Sequence, residues 1–404
     1  MINTQEYIIT ELKKTLEKMI ILSSRRLDNL VAIVLGIIVS KSTILSNISE
    51  ELNDFYSTAK EESKIKRIQR FLTNKKINPE HTYEYFAYKL LKNYKNHSKR
   101  IYIIFDHTTI KDKFVILQFS LKIGKRAVPL WYKVFKYKEK GNKNFKHVKE
   151  GLNFIYSITK EYDYEVIVLA DRGFKSIDLF KYIDEVLKFK YCIRCTKDLG
   201  IEIDGKSKIK KLQDINTLKN KTKHLTGIKL TAQKYLCNIA ICKAEDKEDT
   251  WYIANNLEKP LSIREYKKRF DIEEMFKDFK SGGFNLEDTW SKNIHYVKML
   301  YFCVYIAYCW MITLGTSCTK DRKNRIISTT KRLKGKQVRI YSIFRSGLKW
   351  FKRCYYQCKK KYHLKTVFTL YEGQHQILLL TKYTVILLVI SIYIFLHILI
   401  YLNI

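Results

Sequence analysis

Two aspartates that close apolar runs, IYIIFD and EVIVLAD, and a glutamate inside REYKKRFDIEEMFKDFKSGGF are the residues of this chain best suited to chemistry. They are Asp106, Asp171 and Glu273. Carboxylates without His or Cys ligands, His107 being turned to the opposite strand face by alternation, select hard, oxygen-loving Mg²⁺ or Mn²⁺. Such sites typically hold two ions about 3.5 to 4 Å apart for in-line displacement at phosphorus. One ion then activates water or a 3′-hydroxyl while the other stabilises the leaving oxygen. Taken singly, an aspartate at a strand end is more simply a turn or helix cap. The joint pattern favours a site, because ligands of open α/β sheets collect at the carboxyl ends of strands.

Glu273 has company. Tyr266, Arg269 and Lys280 stand with it at offsets of zero, three, seven and fourteen counted from Tyr266. At about 100° per residue, a single helix over 266–280 gathers all four into an arc of about 60°. Ile272, Met275, Phe276 and Phe279 fill the adjacent arc, the face expected to dock on a core. A phenol, two cations and a carboxylate beside a buried face suit phosphate and metal.

These residues need elements to hold them. IYIIFDHTT, KFVILQFSLKIG and AVPLWYKVFKY read as three successive strands, followed by a helix over 146–162, the strand EVIVLAD, the helix IDLFKYIDEVL and the strand KYCIRC. Residues 197 to about 250 interrupt this order with short strand candidates, and WYIANN resumes it ahead of the Tyr266 helix. The expected organisation is helical over 1–98, a mixed α/β core over 99–196 and 251–318, a β-rich insertion over 197–250, and a basic region with an apolar tail over 319–404. Residues 298–315 are expected to form an apolar core helix, short for a membrane span.

With 46% hydrophobic residues, the 404-residue chain can bury cores for about two or three domains. Its net charge of +36, from 76 Lys and Arg against 40 acids, points to a polyanionic partner, although an AT-rich genome also enriches lysine. From Lys320 to Lys365 there are seventeen Lys or Arg and one acid, Asp321, a candidate DNA-backbone face or a solvated one. Thr384 to Ile404 is free of charge over 21 residues. It is open to a transmembrane tail, a buried final helix or an altered terminus. Nine scattered cysteines and the lack of a secretory signal suggest a reduced cytosolic compartment, and the Cys192–Cys195 pair reads as core rather than zinc ligand.

FDHTT, ADRGF and Tyr266–Arg269–Glu273–Lys280 together resemble the Asp-x-Thr, Asp-Arg-Gly-Phe and Y-(2)-R-(3)-E-(6)-K motifs of DDE transposases of the insertion-sequence-four family. The likeness runs in order over roughly residues 100 to 315. It implies an RNase H-like core interrupted by a β-rich insertion, and cut-and-paste transposition. By that likeness Asp106, Asp171 and Glu273 would bind Mg²⁺ or Mn²⁺, two ions per site. Tyr266 and Arg269 would hold the terminal phosphate, and Lys280 would contact end DNA. Arg172 either approaches DNA or pairs with its neighbouring acid. Trp251 either stacks on a flipped base, as in relatives that use a DNA hairpin, or belongs to the core. Lys64, Lys66, Arg67 and Arg70 would help the N-terminal region recognise the ends. The partners implied are double-stranded DNA, as terminal inverted repeats and target, and a second copy in a synaptic complex near the nucleoid. A nuclease that cuts without joining, an inactive DNA-binding derivative and a membrane-anchored protein are the rivals.

Overall fold

A computed structural model describes residues 4–356, apart from 53–54, 56–57, 95–98, 204–209, 219–220, 244–248, 259, 261–262, 321–326, 328–329 and 334–335. The apolar segment 384–404 and the end of the basic stretch after Tyr356 lie outside the described residues.

Five helices come first: α1 (Thr4–Glu17), α2 (Ser24–Ser40), α3 (Leu45–Glu50), α4 (Glu61–Leu72) and α5 (Pro79–Lys92). Between Asn29 and Ser40, α2 has no polar side chain, so it is apolar on every side and is buried throughout that run. α5 starts on strong local signals. Asn78 Oδ1 accepts from the Glu80 and His81 amides, at 3.1 and 3.2 Å, and Pro79 fits the first turn, where no amide donor is needed.

The chain then lays down β1 (Arg100–Ile110), β2 (Phe114–Ile123) and β3 (Arg126–Lys136) as an antiparallel meander. Helix α6 (Lys140–Thr159) crosses over, so β4 (Glu165–Ala170) enters parallel to β1 on its other side. After α7 (Ile177–Lys181), β5 (Lys190–Cys195) adds parallel to β4. The resulting order, β3-β2-β1-β4-β5 with the first three antiparallel and the last two parallel to β1, is the RNase H-like α/β arrangement. Both faces of these strands are buried, which explains their near-continuous apolar runs.

The interrupting segment forms β6 (Gly200–Glu202), β7 (Lys210–Lys211), β8 (Thr222–Leu230) and β9 (Tyr235–Lys243). These strands extend the same sheet. β10 (Thr250–Asn255) pairs antiparallel with β5 on one side and β9 on the other, giving ten strands in all among the described residues. Cys192 and Cys195 lie buried in β5, and burial pushes the Cys195 thiol up to about 12.

β10 leads to α8 (Ile263–Tyr266), a 3₁₀ turn at Lys267–Phe270 and α9 (Asp271–Phe279). α10 (Ile294–Lys320) follows and packs across β3 and the first helices; β11 (Thr330–Leu333), β12 (Lys336–Arg339) and α11 (Ile343–Tyr356) complete the described fold. α10 is long and apolar enough to cross a membrane, yet 94% of its most apolar window is buried in the protein. Its tyrosines explain that placement. Tyr301, Tyr305 and Tyr308 donate to Gln118 Oε1, the Pro129 carbonyl and the Ala127 carbonyl at 2.8, 2.7 and 3.0 Å, satisfying acceptors where β2 and β3 shift register. α10 and α11 cross at paired glycines. A Cβ on Gly315 would lie 1.9 Å from the Ile343 carbonyl oxygen, and one on Gly347 would lie 2.0 Å from that of Met311.

Candidate active site

Asp106 does not end its strand. β1 runs on to Ile110, but its pairing with β4 stops at Ile104 opposite Leu169, so the expectation of a strand end holds only for that side. Two residues beyond that pair stand Asp106 and Asp171, level with each other and on one face by alternation. Asp171 directly follows β4 and opens a 3₁₀ turn at Arg172–Phe174. Adjacent strands lie about 5 Å apart, which brings the two carboxylates into each other's field. That proximity contributes to raising the Asp106 carboxyl.

The helical stripe also takes a different form. Tyr266 ends α8, Arg269 sits in the 3₁₀ turn, Glu273 lies in the first turn of α9, and Lys280 is just past its end. A tightened turn rotates the chain by about 120° per residue, so a single 100° wheel does not describe 266–280. Ile272, Met275, Phe276 and Phe279 are buried as their spacing implies.

Arg269 joins the acids. Its Nη1 donates to Asp106 Oδ2 at 3.2 Å and its Nη2 to Glu273 Oε1 at 2.7 Å. The guanidinium is only 6% exposed. Burial works against its charge, but Tyr266, Asp171, Asp106 and Glu273 together hold it above its ordinary range. Asp106 Oδ1 accepts from the His107 amide at 2.8 Å. Burial lifts the Asp106 carboxyl to about 6, against the lowering effects of that amide and Arg269 and with the help of Asp171 and Glu273. Asp171 Oδ1 is buried and accepts no hydrogen bond. Glu273 is half exposed, at 53%.

The flanking residues land unevenly. Tyr266 is fully buried and its hydroxyl donates to the Ala170 carbonyl at 3.2 Å, next to Asp171; it props the site instead of facing a phosphate. Burial raises its phenol well above the ordinary value. Trp251 is 7% exposed, with Tyr266 and Phe270 packed against it at 5.7 and 5.5 Å, so of its two expected roles the structure supplies the core one. Lys280 pairs with Glu287 at 2.7 Å. Arg172 is exposed and makes no ion pair with Asp171. Lys64 is buried, whereas Lys66, Arg67 and Arg70 are exposed. Arg67 Nε donates to Asn29 Oδ1 at 2.7 Å, and Arg67 and Arg70 line a concavity of about 950 Å³ with Arg25 and Arg26 of α2.

One part of the site escaped the sequence reading. Arg126, 8% exposed at the start of β3, lies 3.4 Å from Glu274 and 3.5 Å from Asp278, fastening α9 to the sheet. Burial raises Asp278 to about 7 and Asp271 to about 6, with Arg126 pulling both down. The signal was there: Asp271, Glu274 and Asp278 form an acidic row at helical spacing. It also separates Glu274 from Glu273, since they face opposite partners.

The donor chemistry of Asp106, Asp171 and Glu273 fits a hard divalent ion, and the unpartnered Asp171 oxygen fits a ligand. Their spacing fits less well. Among the described residues no three His, Cys, Asp or Glu side chains approach closely enough to hold an ion, because Arg269 lies between Asp106 and Glu273.

Strands in RNase H-like order, with level acids on β1 and directly after β4 and a glutamate linked to the first of them through Arg269, define a mixed α/β protein with an acidic site at the sheet edge. The chain belongs to the transposase DDE domain family, whose pattern matches residues 99–310. No curated protein matches it. Among solved structures it is similar to the X-ray crystal structure of Marinitoga piezophila Argonaute in complex with 5′ OH guide RNA and target DNA. That similarity has 14% identity and a TM-score of 0.21, covering 58% of this chain and 36% of that one. The chain thus spans about a third of that protein's length, and the likeness places no residue.

Proposed function

We propose that this transposase, of the insertion-sequence-four type, excises an element at its terminal inverted repeats and joins the 3′-hydroxyl ends to target DNA. The observation that carries the reading is the Arg269 guanidinium bridging Asp106 and Glu273 beside the unpartnered Asp171. It gathers the three motifs at one point. Asp106, Asp171 and Glu273 would hold Mg²⁺ or Mn²⁺, which when bound supplies Lewis acidity to phosphate oxygens and lowers the pKa of attacking water.

The chain's own residues have separate tasks. Asp106 and Asp171 offer oxygens from a rigid sheet, while half-exposed Glu273 can turn away from Arg269 to join them. Arg269, released from its acids, presents a planar fork matched to a DNA phosphate. Tyr266 keeps α8 against the end of β4, so the helix-borne groups stay in register with Asp171. Arg172 and Lys280 flank the site as backbone contacts, and the arginines of α2 and α4 provide a second DNA contact. In this proposal the helical 1–98 region reads ends, 197–250 acts as an insertion, and two copies pair two ends.

The test is cleavage of DNA carrying the element's ends in Mg²⁺, comparing wild type with Asp171→Asn and Glu273→Gln. Each substitution is expected to lower the rate by at least about 10²-fold while retaining DNA binding. Unchanged cleavage in either variant defeats the assignment. A pre-cleaved end supplied with target DNA separates joining from simple hydrolysis.

A further inference from the structure

Trp290 is 79% exposed, while the other four of the chain's five tryptophans are 0 to 7% exposed. An indole held in water is costly to leave uncovered, and this one is not on a loose segment. Thr289 before it is buried, and Asn293 after it caps α10, its Oδ1 accepting from the His295 and Tyr296 amides at 2.9 and 3.3 Å.

The Lys111 ammonium lies 3.6 Å from the centre of the Trp290 ring. Lys111 and Asp112 form the β1–β2 turn with φ of 46° and 51°, a primed turn that fixes the lysine at a rigid hairpin tip. Next to it lies a groove of about 320 Å³ whose lining includes Lys113, Lys136, Lys138 and Lys292. Lys111 thus covers one face of the ring, four further lysines and Asp112 line the groove beside its turn, and Asp288 shares a second hollow with Trp290. That charge favours a polyanion over an apolar partner surface. The position also suits DNA at the acids: β1 carries the chain about 16 Å from Asp106 to Lys111, about five base steps at 3.4 Å each.

We propose that Trp290 is a stacking platform for an unpaired DNA base, with the surrounding lysines holding the flanking phosphates. One ring face meets the Lys111 cation and the other is open to a base; a cation over a π-system and a base stacked on it use opposite faces. This surface is separate from the buried Trp251 and from the arginines of α2 and α4. It rests on the reading of the chain as DNA-acting but not on its cleavage chemistry.

The experiment uses the full chain without divalent metal. Tryptophan emission and fluorescence anisotropy are followed with an oligothymidylate of about 16 nucleotides, an abasic strand of equal length, and a blunt duplex. The oligothymidylate is expected to quench emission and to bind at least about tenfold tighter than the abasic strand, since stacking contributes about 1 to 3 kcal/mol per base. Trp290→Ala should abolish the quenching and bring the two affinities together, while Trp290→Phe should keep most of the preference. Equal affinity for thymidylate and abasic strands in wild type overturns the proposal. So does quenching that persists in Trp290→Ala, or sedimentation showing that Trp290→Ala only dissolves a dimer of the chain. Cleavage by Glu273 is measured independently, so losing the platform and losing the catalytic reading give different results.

Discussion

Arg269 is the residue on which the acidic site turns. It is the counter-charge of two acids, and a divalent ion bound as proposed would compete with the guanidinium for the same oxygens. In Arg269→Gln, Asp106 is left buried beside Asp171 without its partner. We expect a loss of about 3 kcal/mol at pH 8, read by chemical denaturation. Mn²⁺ should then raise the melting temperature more in this variant than in wild type. An equal or smaller rise would show that ion and guanidinium do not compete. The pH sign supports this: burial places the folded Asp106 carboxyl at about 6, above its ordinary 3.8. Its contribution is therefore full below about pH 4 and is lost as pH rises through about 6. Removing the guanidinium moves that loss to higher pH, since the charged form loses its neighbour.

At the scale of elements, α9 meets the sheet through Arg126, which lies against Glu274 and Asp278, and not only through its apolar face. Asp278 sits at about 7 when folded because burial outweighs Arg126. Its stabilising effect is complete below its ordinary 3.8 and disappears as pH passes through about 7. Asp278→Asn, which cannot titrate, should show a smaller drop in melting temperature between pH 5 and pH 8 than wild type. A drop as steep as wild type would mean that Asp278 is not the titrating group. The same element shows what the sequence could and could not convey. The strands were legible because their apolar runs and turns are local, and the buried face of α9 was legible from its period. The 3₁₀ turn at Lys267–Phe270 was not, because nothing in KKRF forbids a continuous helix; tertiary docking decides it. The extension of β1 past Asp106 depends on β2, and the burial of Trp251, Tyr266 and Lys64 depends on distant neighbours. Residue types and spacing marked the acids, but the fold alone set Arg269 between them.

At the scale of the molecule, α10 ties the first helices, the sheet and α11 into one body. The crossing with α11 has no room for a side chain. Gly347→Val puts a branched carbon against the Met311 carbonyl and is expected to lower stability by about 3 kcal/mol. Thermal denaturation checks this, and an unchanged melting temperature would show that the two helices can separate cheaply. The dense basic composition falls largely outside this body's core, which is why charge pointed to a partner and said little about the fold.

The pairing of β5 with β10 across the long excursion through β6 to β9 also sets a schedule. During synthesis at about 5 to 20 residues per second, the strands bearing Asp106 and Asp171 emerge well before the helix that brings Arg269 and Glu273. For those seconds the nascent sheet has its acids without their counter-charge. Completion of the site therefore waits for a segment, β6 to β9, that contributes no acid to it.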